Sequence, residues 1–347
     1  VYIIFPPTYL QDAPRGGVLW HFRPIFFRRA DAHELEPNEP DQSVTFQKTL
    51  ARPMRLAGLT LHAGVPVSCT ISPAAIGHGL VFRRLDALPE VAEVKVSPEA
   101  IVAAPLCSRI ANEGGTSVST LEHLMAAFRT YGITNAEITL DGPEVPILDG
   151  SSLPWIDAMR EAGVVEQDAQ ASVIRLSRRI TVSHGDSHAV LEPLSPGETQ
   201  ETFTAHIDFD VPSIGLQSCS SSTELNAFVR EIAGSRSFVL ASQLPGLQAK
   251  GLIRGGSLTN AVVFDTNGVR NPEGLRYENE PARHKVLDAI GDMYLGGFQI
   301  LAHYHGTKAG HALHAALLRC LFADQTAWHW VNDAPDAKVV AFRAAQR

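Results

Sequence analysis

Cysteine is scarce in this chain. The four present, Cys69, Cys107, Cys219 and Cys320, lie far apart with no short paired spacing, which excludes a disulfide framework and a thiolate-type zinc site and makes a reducing cytoplasm the expected compartment. Positive charge is also in short supply. Lys and Arg total 29 against 37 Asp and Glu, a net charge of −8, so no basic excess is available to gather a phosphate backbone, and nucleic acid is not an expected partner. Long apolar runs are missing too. The longest stretch free of Lys, Arg, Asp and Glu, Leu56 to Phe82, is broken by Pro66, Pro73, several glycines and two histidines, which reads as strands and turns and not as a transmembrane segment. No HExxH occurs, and that removes the thermolysin-like protease class.

What is present is the composition of a folded protein: 45% apolar and 19% charged residues over 347 positions, enough for about two domains. Residues 1–43 mix apolar clusters with a Pro/Glu-rich run and lack an apolar core of signal-peptide type; they are read as a poorly ordered appendage. From Val44 short alternating segments such as Leu59–His62 and Val65–Ile71 predict strands. Helical spacing begins at Thr120–Tyr131, where Leu121, Leu124, Ala127 and Phe128 share a stripe that Gly132 ends. A strand at Ala136–Leu140 and a helix from Pro154 to Ala162 complete a first unit, 44–171. The second, 172–347, repeats the order: strands first, then helices at Pro281–Leu295 and Gly310–Ala323. The expectation is two α+β domains facing one another.

Three polar clusters sit at or near the predicted helices: "STLEH" ending at His123, "RHKVLDAIGD" from Arg283 to Asp292, and "KAGHALH" from Lys308 to His314. His284 and Asp288 stand four apart, so their side chains lie one above the other on a helical face, and Asp292 extends the line by a turn. Such a pair can clamp a cation or form a solvated stripe. In the first cluster Ser119 and Glu122 have the spacing of a capping box, yet Glu122 also adjoins an imidazole of the kind that binds zinc. Two imidazoles and one carboxylate with a position open to water is the donor set of a catalytic zinc, and the candidates are His123, His284 and Asp288. Their separation along the chain would place the site between the two halves. His311 reads either as a surface histidine at a helix end or as a second proton donor.

With these clusters in this order, the chain resembles the zinc-dependent UDP-3-O-acyl-N-acetylglucosamine deacetylases of Gram-negative lipid A synthesis. The likeness runs from about Val44 to Phe342 and rests on "STLEHLMAAF", "GPEVPILDGSS", "GSRSF", "RHKVLDAIGD" and "KAGHAL". It implies two similar domains, each a β-sheet layered with α-helices that pack inward as a β-α-α-β sandwich. It further implies Zn²⁺ held by His123, His284 and Asp288, with Glu122 as general base and His311 charged and paired with Asp292. Lys285 stands beside the second ligand.

Ser237 falls where the family has a threonine whose hydroxyl supports the developing oxyanion; the hydroxyl is kept and the rotamer-limiting methyl lost. By the same resemblance Lys308 faces the nucleotide diphosphate, Phe209 the uracil side, and 238–256, beginning at Phe238, is an insertion forming an apolar passage for the acyl chain. Leu240, Leu244, Leu247, Leu252 and Ile253 would wall that passage. A lysine usual near the diphosphate is Ser187 here. Cys107 matches a cysteine close to the metal and is not read as a ligand. The implied reaction is hydrolysis of an N-acetyl amide on a UDP-linked, acylated amino sugar by a cytoplasmic monomer, with either His311 or Glu122 protonating the departing amine. A non-catalytic sugar-nucleotide or lipid binder, or a deacetylase of another N-acetyl sugar, is the alternative that the departures at Ser237 and Ser187 keep open.

Overall fold

Alternating burial shapes the sheets. In Pro66–Pro73, Val67, Cys69 and Ile71 turn inward while their neighbours stay partly or fully exposed, as a strand with one covered face requires. The structure is a computed structural model that describes residues 45–104 and 106–331; the appendage 1–43 lies outside the described residues.

Two five-stranded sheets have the same order. The first runs Met54–Leu59, Pro66–Pro73, Ala136–Leu140, Leu80–Arg84, Glu93–Lys95, and the second Ile180–His184, Ser187–Glu192, His303–Thr307, Thr202–Asp208, Leu216–Ser222. In each, the last strand in sequence slots into the middle and lies parallel to the third strand, while the other pairs are antiparallel. A small three-stranded sheet follows the fourth strand in both halves: Ile101–Val102 with Arg109–Ala111 and Ser117–Ser119 in the first, Phe238–Leu240 with Val262–Asp265 and Gly268–Val269 in the second.

Among the described residues there are six α-helices: α1 (Glu122–Tyr131), α2 (Leu153–Ala162), α3 (Leu225–Glu231), α4 (Leu244–Ala249), α5 (Glu280–Met293) and α6 (His311–Ala323). The predicted stripe of α1 is completely buried. So is α5 on every side, all its residues but Arg283 being covered; a helix enclosed all round belongs to the middle of a layered fold. The two cross at Gly291, where an added Cβ would lie 2.0 Å from the Glu122 carbonyl oxygen and 3.1 Å from the Ala126 nitrogen. Only a glycine lets these backbones approach so closely. The helices thus pack inward between the sheets, and a buried ion pair between Arg129 of α1 and Glu201 also ties the two halves together.

Two sequence expectations are corrected. Leu59–His62 is not a strand: the strand ends at Leu59, and the following turn is held by Glu144, whose carboxylate accepts from the His62 and Ala63 amides at 2.9 and 2.8 Å. The first helix starts at Glu122 and not at Thr120, because Thr120 sits at φ 61°, outside the helical region.

Candidate active site

α5 carries the densest set of polar groups. Glu280, His284, Asp288 and Asp292 follow one another at every fourth position on one face, all buried, so the stripe is not solvated. Ionised side chains in such a place need partners. Glu280 receives the guanidinium of Arg236, with Nε on Oε1 at 2.8 Å. His284 donates its Nδ1–H to the Ser235 carbonyl at 3.0 Å, and since a carbonyl only accepts, the Nε2 lone pair is left free to bind. Burial holds the His284 pKa well below its ordinary value, so the ring is neutral.

Asp288 divides its two oxygens. Oδ2 takes Lys285 Nζ at 2.9 Å, while the buried Oδ1 accepts no hydrogen bond from any described residue and faces His284 Nε2 at 3.3 Å and His123 Nε2 at 3.9 Å. Burial alone would raise this carboxyl; His284 and Lys285 hold it well below the usual range. His123 arrives from the first turn of α1 and is also kept neutral, its pKa lowered to about 4 by burial. The three donor atoms lie within 4.8 Å of one another. Two neutral imidazoles and an orphaned carboxylate oxygen this close together are a donor set that can hold a metal ion. Ser237 Oγ stands over the same point, 3.3 Å from His284 Nε2 and 3.5 Å from His123 Nε2.

Beside this triad lies a second group. Glu122 is not part of a capping box: Ser119 belongs to a strand, and Glu122 Oε2 instead accepts from the Ser108 amide at 3.0 Å. Burial raises its pKa to about 7; His311 opposes the shift, and Asp292 and Asp288 add to it. His311 opens α6 and places Nε2 3.7 Å from Glu122 Oε1 and 3.9 Å from Asp288 Oδ2. Its Nδ1 donates to Asp292 Oδ2 at 2.8 Å. Burial disfavours the imidazolium, yet Asp292 and Glu122 outweigh it and raise the pKa to about 9. Asp292, for which burial acts in the opposite sense, is held below the ordinary carboxylate range by His311. A carboxylate able to accept a proton near neutrality next to a charged imidazole is an acid–base pair.

The remaining predicted residues surround these groups. Phe238 is buried, with its ring edge-on to His284 at 6.4 Å and to Phe209 at 5.6 Å. Lys308 Nζ pairs with Asp186 at 2.8 Å and with Asp208, the residue before Phe209, at 3.0 Å. Ser187 adjoins Asp186 at the same edge. Within residues 238–256, Leu247 and Ile253 join Leu106, Val239 and Val263 in an apolar cluster separate from the main core; Leu244 and Leu252 pack against it, and Leu240 packs against the main core instead. Cys107 is buried, with its thiol pushed up to about 12 mainly by burial, and is not among the clustered donor atoms.

Sequence reasoning missed four members of this environment. Ser108 donates its hydroxyl to Asp292. His314 Nδ1 donates to the same Asp292 Oδ2 at 2.6 Å, and its Nε2 accepts from the Tyr304 hydroxyl at 2.6 Å. Glu280 was within reach, since it continues the four-residue spacing of α5 backwards; Ser108, His314 and Tyr304 gave no comparable signal beyond the presence of His314 in a noted cluster.

The family model LpxC, UDP-3-O-acyl N-acetylglycosamine deacetylase, matches residues 47–323. A Xanthomonas campestris pv. campestris (strain B100) protein named UDP-3-O-acyl-N-acetylglucosamine deacetylase is 40% identical over 291 residues, covering 83% of this chain and 94% of the relative. Proteins of the same name from Shewanella loihica and Haemophilus influenzae (strain PittEE) are each 39% identical, over 289 and 288 residues, covering 83% and 82% of this chain and 93% of each relative. Among the described residues no helix is long and apolar enough to cross a membrane.

Proposed function

The chain belongs to the UDP-3-O-acyl N-acetylglycosamine deacetylase family, and from that membership we propose that it hydrolyses the N-acetyl group of UDP-3-O-(3-hydroxyacyl)-N-acetylglucosamine. The products are acetate and the free amine, within lipid A biosynthesis, and the enzyme acts as a cytoplasmic monomer. The observation that carries the reading is the convergence of His123, His284 and the unsatisfied Asp288 Oδ1 on one point, with Glu122 and His311 alongside.

His123, His284 and Asp288 hold Zn²⁺ in this reading. Bound there, zinc supplies Lewis acidity, which polarises a carbonyl and makes water nucleophilic near neutral pH. Glu122, fixed by the Ser108 amide, accepts the proton of the attacking water, and either Glu122 or the protonated His311 delivers a proton to the amide nitrogen as the C–N bond breaks and the amine departs. The Ser237 hydroxyl and the protonated His311 Nε2 donate to the oxygen on which negative charge develops, a single such donor being worth about 3 kcal/mol. Asp292 keeps the His311 ring oriented and charged, and Lys285 fixes Asp288 so that Oδ1 faces the metal position. Phe209 and Lys308 bind the uridine diphosphate, which must displace Asp186 and Asp208 from the lysine. Phe238 and the apolar cluster of the insertion receive the acyl chain.

The test is Glu122→Ala in the purified full chain. It is expected to retain zinc at the wild-type stoichiometry while acetate release from the acylated substrate falls by about 10²–10⁴-fold. Full turnover by this variant removes Glu122 from the base role. A wild-type protein that holds zinc yet releases no acetate is instead a binder.

A further inference from the structure

Three successive residues, Ser235, Arg236 and Ser237, each meet a different part of α5 or the site. The Ser235 carbonyl accepts His284 Nδ1–H and so fixes which nitrogen is free. The Ser237 hydroxyl stands over the three donor atoms. Arg236, between them, is 1% exposed and turns its guanidinium to the first turn of α5. There Nε and Nη2 fork onto the two oxygens of Glu280 at 2.8 and 3.2 Å, Nη1 reaches Glu273 at 2.6 Å, and Nη2 also reaches the Gly274 carbonyl at 2.8 Å. The Arg236 backbone amide donates to Glu280 Oε1 at 3.0 Å. One carboxylate therefore grips both the main chain and the side chain of the residue between the two serines.

We propose that Arg236 and Glu280 are a positioning pair for the metal centre, setting the Ser235 carbonyl and the Ser237 hydroxyl relative to His284. The inference rests on the reading of His284 as a metal ligand. Its physical basis is that a fully buried ion pair is a poor way to stabilise a fold, because desolvation consumes much of the attraction, whereas a planar fork on a carboxylate fixes orientation. Glu280 lies one turn before His284 on the same face of the same helix, so the pair references Ser235–Ser237 to the element that carries two of the three donors. Ser237 is held from the other side as well, its amide donating to the Gly150 carbonyl at 2.8 Å. A shift of Arg236 must therefore tilt the segment instead of sliding it. Groups that orient a ligating histidine through its second nitrogen typically change metal affinity by about 10–100-fold when disturbed.

The test uses the full-length enzyme with Arg236→Lys and, independently, Glu280→Gln. Metal affinity is measured by chelator competition, the visible spectrum is recorded with Co²⁺ in place of zinc, and kcat and KM are taken at saturating metal. Both variants are expected to keep a cooperative unfolding transition, bind metal about 10–100-fold more weakly, show a displaced Co²⁺ band and lose kcat with KM little changed. Arg236→Met is expected to lose more than Arg236→Lys. Wild-type affinity, spectrum and kcat in a folded variant overturn the proposal. Loss of the cooperative transition in both variants also overturns it, because the pair then holds the fold and not the site. A wild-type enzyme that binds neither Zn²⁺ nor Co²⁺ brings down the ligand assignment itself, a different result from a metal-binding wild type with unaffected variants.

Discussion

The two halves of the molecule share one strand order and one sequence of helix, strand and helix, yet they treat their polar residues differently. α1 presents Glu122 and His123 in its first turn and is apolar through the buried face beyond them. Its counterpart α5 carries Glu280, His284, Asp288 and Asp292 along its length. The helices that follow diverge in the same way: α2 begins with Leu153 and Pro154 and buries Trp155, whereas α6 begins with His311. A repeated scaffold can therefore support a site in which one half supplies most of the charge and the other supplies one imidazole, the Glu122 carboxylate and the Ser108 anchor. The small sheets are used in parallel, since one delivers Ser108 and the other Ser235–Ser237, each against the polar face of a central helix.

The sharpest way to break this comparison is to empty α5 of a donor. Asp288→Ala is expected to lose bound zinc and to reduce acetate release by more than about 10³-fold, matching the chelated wild type; metal analysis and a turnover assay decide it, and turnover within tenfold would mean that α5 is not the dominant half. Next comes the crossing itself. Gly291→Ala puts a methyl group 2.0 Å from the Glu122 carbonyl oxygen, and an expected loss of about 1–3 kcal/mol or more should appear as a lowered thermal midpoint.

A smaller effect concerns His311. With its pKa raised to about 9, the ring stays protonated through neutral pH and loses its proton above that value, so activity should fall on the alkaline side. Asp292→Asn removes the largest raising contribution and should move that fall down by about one pH unit or more, worth about 1.4 kcal/mol per unit; an unmoved limb in the pH profile assigns it to another group. The smallest effect is the control for the crossing. Gly246, in α4, has nothing within 4 Å of an added Cβ, so Gly246→Ala should change stability by less than about 1 kcal/mol, in the favourable direction.

Much of the scaffold was legible because periodicity follows directly from which face is covered. α1 and α6 came from apolar spacing, α5 from Pro281 at a first turn and the Gly296-Gly297 stop, and Gly132 marked the end of α1 as a left-handed cap. The pairing of His284 with Asp288 came from helical geometry alone. The third member, His123, came from donor chemistry, as an imidazole completing a zinc donor set, and the family resemblance strengthened that choice; nothing local in a chain records which residues meet across roughly half its length. The same limit hid Ser108, Tyr304 and His314, whose partners are remote in sequence or lie on another element. Leu59–His62 misled for a related reason: its alternation is that of a strand, but Glu144, some eighty residues further on, captures its amides and makes it a turn.

A crossing made of bare backbone has one further consequence. Interfaces built from interlocking side chains change their spacing whenever a residue is exchanged for a larger or smaller one, and the error spreads to whatever the elements carry. Where α1 passes Gly291 there is no side chain to exchange. The interval between His123 and its two companions on α5 is therefore set by the thickness of two polypeptide backbones, so the surrounding hydrophobic residues can drift over evolutionary time while the gap available to an ion keeps its width.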